Sequence, residues 1–362
     1  MEPFKNIYNR KSIKSLSAEL VKLSKGFNEK EFLDISCRNL DELEMKQRVE
    51  QISMALESQL KGSYKQNVKL LCKSINSGKL SGFILWPYSV YIEKNGINDF
   101  KTSMDALSLI TKKWTAEFGV RVFFDKYPKE TYDYLSDLKK ADCEHLRRWV
   151  SEGTRPNLPW GKNISHLSNN LPKNIKLISS LRNDNSEYVR KSVANHMNDI
   201  GWLNEKLVTK TLKQWNKESS KEVKWVVKHA LRNLLKNGNK DALEIMGYSP
   251  KFKSVIKKLR LSKKMIKEGD SIDLEFDIKN IDTKKTNLMI DYIIHYPKAN
   301  GTTSAKVFKC KNIALDKNDF ISIKKKINFK VVTTRRHYPG VHKVELQVNG
   351  KVLAETKFTL KK

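Results

Sequence analysis

The sequence has few of the features that would place it among secreted, membrane-spanning or metal-binding proteins. Its four cysteines have no paired spacing, which argues against a disulfide framework and against a zinc site. No apolar run approaches the roughly 20 residues of a membrane-spanning helix, since Pro87 interrupts the best candidate, residues 82–92. The opening MEPFKNIYNR lacks the apolar core of a secretory signal. We therefore expect a cytoplasmic protein that has no metal site.

Acidic residues are scarce relative to basic ones. The chain has 70 Lys and Arg against 40 Asp and Glu, a net charge of +30, and its pI is about 9.8. Charge of this size opposes folding through self-repulsion, so a polyanionic partner is the natural explanation. The excess is +14 in residues 1–250 (43 against 29) and +16 in residues 251–362 (27 against 11). We expect nucleic acid, with no membrane, to be the partner of both parts.

Residues 144–246 repeat themselves at a nearly constant interval. A shift of 37 residues places Tyr188 on Trp225, and a shift of 43 residues places Glu144 on Glu187. Self-similarity at this period, with aliphatic residues at helical spacing, is typical of HEAT-like helical repeats. Each unit of such a repeat leaves an apolar face that only its neighbour can cover. The segment should therefore form one curved solenoid.

The chain before these repeats also has helical periodicity. Aliphatic residues recur every three or four positions in residues 1–80, and the pattern predicts a longer helix over residues 100–124. The segment Pro156–Gly161 has no such period, and an insertion there explains the longer first interval of the repeat. After this insertion we expect no helix before Asn174.

Residues beyond 250 have the pattern of strands. Apolar and acidic side chains alternate over residues 272–278 (IDLEFDI), and four further segments alternate similarly. Asn349-Gly350 predicts a two-residue hairpin between two such segments. Six or seven short strands predict an immunoglobulin-like sandwich. The expected fold class is multidomain, with an all-α HEAT-like repeat domain over residues 1–248 and an all-β sandwich over residues 251–362.

Four segments of the chain form a specific combination. They read SEGTRPNLPW (151–160), SEYVRKSVANHMNDI (186–200), WVVKHALRNLLKNGN (225–239) and HYPGVHKVELQVNG (337–350). With these segments, the chain resembles the AlkC-type alkylpurine DNA glycosylases of bacteria. The first segment is the most specific, because helical repeats do not explain its Glu, Arg, two Pro and Trp. The resemblance covers essentially the full length.

The resemblance implies an activity and what that activity requires. It implies hydrolysis of the N-glycosidic bond of cationic methylated bases, such as 3-methyladenine and 3-methylcytosine, in double-stranded DNA without base flipping. Because such a base is already a good leaving group, the enzyme has to stabilise positive charge on the deoxyribose and position a water. Carboxylates near the sugar serve both needs, without a metal or another cofactor. We expect a monomer that acts on the bacterial nucleoid.

Glu152 and Glu117 are the first two candidates for catalytic carboxylates. Glu152 opens the Gly/Pro-rich insertion, where a side chain can be aimed at a ligand, and the resemblance favours it. The alternative is a solvated carboxylate at a helix end. Glu117 would share a helix face with Trp114, Phe118 and Arg121, which places an acid among aromatic rings. The alternative is a surface glutamate paired with Arg121.

Asp199 and Trp160 complete the catalytic candidates. Asp199 lies where the next repeat has Lys236, and an acid at a helix C-terminus opposes the helix dipole, so another interaction has to favour it. The alternative is a solvated helix end. Trp160 would stack on or shield the damaged nucleotide, or it would anchor its loop, and these two roles are compatible.

Basic and polar side chains of the repeats are candidates for contacts with DNA. Phosphate contacts position a duplex and account for the salt dependence of binding, without choosing a sequence. Each residue has the alternative of lying on a solvated repeat face. In the sandwich, Arg335 and Arg336 near a predicted loop are better candidates for a second contact than residues 324–326. The repeat candidates are Arg155, Arg190, Lys191, Asn195, Lys228, His229 and Arg232.

A HEAT-like scaffold that binds DNA or RNA without chemistry is the alternative function. Such a scaffold needs neither the insertion at residues 153–160 nor carboxylates on a basic face, where they would weaken phosphate binding. The presence of both features favours the enzyme.

Overall fold

The computed structural model describes residues 2–331 and 336–361, and the first part of this range is helical. The described residues form sixteen α-helices. The helices are α1 (Arg10–Leu23), α2 (Glu29–Ser36), α3 (Met45–Gln59), α4 (Tyr64–Asn76), α5 (Trp86–Asn95), α6 (Phe100–Thr111), α7 (Phe123–Lys126), α8 (Pro128–Asp137), α9 (Glu144–Glu152), α10 (Ser165–Asn169), α11 (Leu171–Ile178), α12 (Glu187–Leu203), α13 (Glu205–Trp215), α14 (Lys221–Ala230), α15 (Arg232–Lys236) and α16 (Lys240–Ile245).

Side-chain caps define where several helices begin. The side chain of Asn9 accepts backbone N–H groups at the start of α1, and Ser63 does the same at the start of α4. Asp99 and Asn239 cap α6 and α16. These caps satisfy amide groups that have no partner within the helix. None of the helices in the described ranges has the length and apolar character needed to cross a membrane.

The expected helix over residues 100–124 is wrong, because α6 ends at Thr111. The hydroxyl of Thr115 accepts the backbone N–H of Glu117, a local bond that competes with helix formation. A Cβ atom at Gly119 would lie 2.6 Å from the Ser89 hydroxyl, so this segment packs too closely for a larger residue. Residues 112–122 therefore run in turns, and α10 and α11 likewise begin earlier than the expected Asn174.

The helical repeat is confirmed by the packing of successive units. Helix α9 packs against α12, and α12 packs against α14. Arg147 of α9 donates to the carbonyls of Ala141 and Asp142, each at 2.8 Å. Arg190, which lies 43 residues later, donates to the carbonyls of Asp184 and Asn185 at 2.6 and 3.0 Å. The same guanidinium bonds at equivalent positions show that the 43-residue shift aligns real structural units.

The strands form two sheets that enclose a separate core. One sheet has the order β1-β3-β6 and the other β2-β8-β7-β4-β5, and all pairs except the parallel β2–β8 are antiparallel. Ile272, Leu274 and Phe276 of the alternating segment point into this core. The strands are β1 (Ser254–Leu261), β2 (Met265–Lys267), β3 (Ser271–Asn280), β4 (Thr286–Pro297), β5 (Thr303–Leu315), β6 (Phe320–Asn328), β7 (Gly340–Val348) and β8 (Lys351–Lys361).

The Asn349-Gly350 hairpin is confirmed between β7 and β8. Both residues have positive φ, 43° and 76°, the backbone conformation of a two-residue type I′ turn. With this hairpin, the predicted all-β sandwich after an all-α repeat is the observed fold class.

The chain divides into two compact units. The first comprises Met1–Asn204 and Glu218–Ala230, and the second comprises Glu205–Lys217 and Leu231–Lys362. The second unit thus combines the sandwich with helices α13, α15 and α16. The division into domains at residues 248–251 stays a prediction.

Candidate active site

Three acidic side chains meet in the first unit. Glu117 comes from the turns after α6, Glu152 ends α9, and Asp199 lies on α12. All three are buried, with 9, 6 and 4% of their surface exposed. Two arginines, Arg148 and Arg155, lie between them and join them. These five residues are called the carboxylate cluster.

The arginines link the acids in one continuous series. Arg148 places Nη1 2.5 Å from Glu117 Oε2 and Nη2 3.5 Å from Glu152 Oε1. Arg155 donates from Nη1 to Glu152 Oε1 at 2.6 Å. The same guanidinium donates two hydrogen bonds to Asp199, Nε to Oδ2 at 2.7 Å and Nη2 to Oδ1 at 3.2 Å. Two-pronged arginine–carboxylate bonds fix orientation as well as distance.

Two hydroxyl groups complete the partners of the glutamates. Ser192 Oγ donates to Glu152 Oε2 at 2.5 Å, and Thr115 Oγ1 donates to Glu117 Oε2 at 2.9 Å. Ser192 and Asp199 are seven residues apart on α12, which places them on one helix face. That face packs against α9. The repeat packing therefore brings both α12 side chains to the end of α9, where Glu152 lies.

The two glutamates have their pKa values shifted in opposite directions. Burial raises the pKa of Glu117, and the neighbouring Glu152 charge adds to the rise, although Arg148 opposes it. Burial acts upward on Glu152 as well, but the charges of Arg148 and Arg155 and the Ser192 bond outweigh it and lower its pKa. With all groups ionised, three carboxylates face two guanidinium groups. These five groups then sum to one negative charge, and the buried guanidinium of Arg121, which interacts electrostatically with Glu117 and Asp199, lies beside them.

A buried histidine adjoins the cluster without adding charge. His196 Nδ1 lies 2.9 Å from the carbonyl of Ser151. A carbonyl only accepts, so Nδ1 carries the proton, and Nε2 has no partner among the described residues. Burial lowers the pKa of His196 to about 3. The imidazole is therefore neutral at physiological pH, and it helps to hold the end of α9 against α12.

Trp160 has an exposed ring and an anchored backbone. It is 57% exposed, and its φ of 65° lies in the left-handed region. Its ring stacks on buried Trp86, with centroids 6.2 Å apart and planes 9° from parallel, and Lys46 Nζ donates to its carbonyl at 2.6 Å. A cavity of about 140 Å³ has both rings and Arg121 among its lining residues. Trp160 thus anchors its loop while one face stays open.

The predicted DNA-contacting residues are spread over several environments. Arg155 belongs to the carboxylate cluster, and Arg190 is half-buried on backbone carbonyls. Lys324 pairs with Asp273 and Glu275. Arg335 lies outside the described residues. Of the remaining candidates, the exposed ones are Lys191, Lys228 and Arg336, and the half-buried ones are Asn195, His229 and Arg232.

Sequence reasoning missed several members of this site. Arg148 joins two of the predicted acids, and its spacing of four residues from Glu152 was the available signal. Arg148 also lies under the ring of Tyr188, 5.2 Å from its centroid. Thr115 and Ser192 had no distinguishing pattern. No three His, Cys, Asp or Glu side chains in the described ranges are grouped as metal ligands.

Comparison with known proteins gives full-length matches. A family model described as the C-terminal Ig-like domain of the uncharacterised protein YhaZ matches residues 255–362. The chain is 34% identical to the uncharacterized protein YhaZ of Bacillus subtilis (strain 168) over 353 residues, which covers 97% of this chain and 98% of that one. It is similar to the solved structure of Pseudomonas fluorescens alkylpurine DNA glycosylase AlkC bound to DNA containing an abasic site analog, with a TM-score of 0.94, 34% identity and 100% of both chains covered. The chain therefore belongs to the AlkC-type family, which combines a HEAT-like helical repeat with a C-terminal immunoglobulin-like domain and includes YhaZ.

Proposed function

We propose that this protein is a DNA glycosylase that hydrolyses the N-glycosidic bond of cationic N-alkylated bases in double-stranded DNA. The carboxylate cluster is the observation that carries the proposal. Three acids gathered in one buried site are unexpected in a protein of charge +30 unless a cation is to be stabilised there. The 34% identity to AlkC over the full chain supports the same activity.

The chemistry suits this site. The bond between C1′ and the base nitrogen breaks, and its electron pair leaves with the base, which becomes neutral. The sugar develops oxocarbenium character, which fixed carboxylates stabilise without having to reorganise. Water then adds to C1′ and gives up a proton. Carboxylate pairs serve both needs in glycoside hydrolysis.

The opposite pKa shifts divide the work between the two glutamates. Glu152, whose pKa is lowered, stays ionised and stabilises the developing positive charge. Glu117, whose pKa is raised, is the better acceptor for the proton of the attacking water. Asp199 adds a third negative charge and orients Arg155. In this assignment Arg155 is a positioning residue, and its original prediction as a phosphate contact gives way to that role.

The base leaves without entering a pocket in this proposal. Bases such as 3-methyladenine and 3-methylcytosine carry a positive charge, so the protein does not have to activate them as leaving groups. Flipping serves enzymes that must reach the base itself, whereas here the sugar has to approach the acids. The exposed rings of Trp160 and Tyr188 would flank or shield the damaged nucleotide.

Contacts to phosphates hold the duplex in this proposal. Polar and basic side chains of the repeats supply one set, and Arg335 and Arg336 of the sandwich supply a second. Binding should therefore be strongly salt-dependent. We propose a monomer that acts on nucleoid DNA. The repeat set comprises Arg190, Lys191, Asn195, Lys228, His229 and Arg232.

Release of methylated bases from dimethyl-sulfate-treated duplex DNA tests the proposal. The purified protein should release 3-methyladenine, identified by chromatography, well above the spontaneous rate. Binding of the same DNA is measured in parallel. A protein that binds this DNA but releases no base would be the non-catalytic scaffold, the alternative function.

A further inference from the structure

Arg121 is a buried cation that the proposed mechanism leaves without a role. It is 1% exposed, and every hydrogen bond of its guanidinium within the described residues goes to a backbone carbonyl. Nε donates to Lys162 at 2.9 Å, and Nη1 donates to Gly153 at 3.1 Å and to Arg155 at 2.8 Å. One side chain therefore holds both ends of residues 153–162.

The held segment carries two functional side chains. Arg155 orients Glu152 and Asp199 with its side chain, and its backbone carbonyl accepts a hydrogen bond from Arg121. Trp160 lies two residues before the third acceptor, Lys162. Arg121 itself belongs to the turns at residues 112–122, which also carry Glu117. The guanidinium of Arg121 thus fixes residues 112–122, which carry Glu117, against residues 153–162, whose Arg155 orients the other two acids.

The arrangement is costly if it serves stability alone. Burial lowers the pKa of Arg121 to about 10 and the charge of Arg155 adds to the fall, while the charges of Asp199 and Glu117 oppose it only in part. Its Nη2 is buried and has no hydrogen-bond partner among the described residues, and an unpaired buried donor is unfavourable. An unpaired buried polar group in a folded protein calls for an explanation, and a role at a functional site is one.

We propose that Arg121 is a positioning residue for base excision. Its planar fork sets the 153–162 loop so that Arg155 holds Glu152 and Asp199, and Trp160 keeps its exposed position, in the working geometry. This inference rests on the proposed glycosylase function. It predicts that base release depends on the geometry of the three hydrogen bonds from Arg121, and that a positive charge at this position is not sufficient.

The chain offers a matched control in Arg48. This residue is 2% exposed and also ties backbone carbonyls, with Nε donating to Leu43 and Nη1 to Lys5 and Tyr8. None of those carbonyls belongs to the site. Arg121→Met and Arg48→Met therefore remove the same kind of buried clamp, and only the first of these clamps holds carbonyls of residues 153–162.

Single-turnover base release and DNA affinity are measured for both variants at a temperature where thermal unfolding shows them to be folded. In Arg121→Met, the release rate should fall about 100-fold, the effect of a misplacement near 1 Å, with DNA affinity nearly unchanged. Arg48→Met should release base at the wild-type rate. Arg121→Lys, which keeps the charge but not the fork, should resemble Arg121→Met. A wild-type rate in folded Arg121→Met, or equal losses in both variants, would overturn the proposal.

A second readout separates this inference from the proposed function. The fluorescence of Trp160, obtained by difference against Trp160→Phe, should be quenched more strongly by acrylamide in Arg121→Met than in wild type, and unchanged in Arg48→Met. If wild-type protein releases no base, the glycosylase proposal fails, while the quenching still reports whether Arg121 sets the loop. Unchanged quenching in Arg121→Met would by itself contradict the role of Arg121 in setting the loop.

Discussion

Two regions of the molecule contain a series of ion pairs in which acidic and basic side chains alternate. The side chains are buried in one region and exposed in the other. In the carboxylate cluster, the side chains of Arg148 and Arg155 are 16 and 9% exposed. In the sandwich, the corresponding groups of strands β1, β3 and β6 have basic side chains that are 64–81% exposed. This second set is called the surface ladder. It consists of Asp273, Glu275, Asp277, Lys258, Arg260 and Lys324.

The difference shows where the chain uses ion pairs for a purpose beyond solubility. Solvated pairs are screened by water and salt and contribute little to stability. Buried pairs lose hydration, and they persist only when every charge has well-placed partners. The surface ladder can therefore vary freely, whereas each member of the carboxylate cluster depends on the others. Ion pairs of the same residue types therefore matter to the structure in the carboxylate cluster and contribute little to stability in the surface ladder.

The largest effect is expected from Glu152→Gln. Loss of the negative charge should reduce base release by at least about 10³-fold, since preorganised charge is a large part of such catalysis. DNA affinity should stay the same or rise, because an acid near phosphates weakens binding. The matched change Glu275→Gln in the surface ladder should alter neither rate nor affinity, as measured by single-turnover release and by fluorescence anisotropy. Equal losses of binding and release in Glu152→Gln would instead indicate a structural role.

A smaller effect is expected when an arginine is removed from each region. Arg155→Met leaves Glu152 and Asp199 buried without their main partner, which should lower the free energy of unfolding by about 3–5 kcal/mol. Arg260→Met removes a solvated partner of Glu275 and should change stability very little. Urea denaturation of both variants gives the comparison. If Arg155→Met had the free energy of unfolding of the wild-type protein, the cluster would tolerate unpaired charge and this prediction would be wrong.

The mildest effect concerns pH. Because burial raises the pKa of Glu117 above its usual 4.5, base release should fall as the pH drops through that raised value and Glu117 becomes protonated. Glu152 has a lowered pKa and stays ionised to lower pH. The stability that Glu152 contributes is present above its unfolded pKa and is lost only as the pH falls through the lowered one. A release rate that is flat from pH 7 to 4.5, after subtraction of spontaneous loss, would exclude Glu117 as the proton acceptor.

Periodicity predicted most of the fold. Alternation over residues 272–278 and the Asn349-Gly350 dipeptide predicted strands and a hairpin that the structure contains. The repeat interval predicted the equivalence of Arg147 and Arg190, whose bonds are the same. The helix expected over residues 100–124 failed because the Thr115 hydroxyl bond and the close packing of Gly119 are tertiary and local effects that an apolar pattern does not report.

The site was predictable only in part. Glu152, Glu117 and Asp199 were identified by acids at unusual places in a basic repeat and by a family resemblance, and the structure brings them together, although their catalytic role stays a prediction. Arg148 and Arg121 are not among the predicted site residues, because the spacing of Arg148 from Glu152 allows a pair without showing that it is buried, and Arg121 lies in a turn whose burial no local pattern reports. Only the packing of α9 against α12 and the path of residues 153–162 show which charges meet.

The central claim is that the carboxylate cluster stabilises positive charge on the sugar, and it is tested most directly by binding without chemistry. Affinities are measured for two duplexes, one with a protonated pyrrolidine abasic analogue and one with a neutral tetrahydrofuran analogue. The account predicts that wild-type protein prefers the cationic analogue by at least about 10²-fold, as expected of a transition-state mimic, and that Glu152→Gln loses this preference. Equal affinity of wild-type protein for the two duplexes would contradict it.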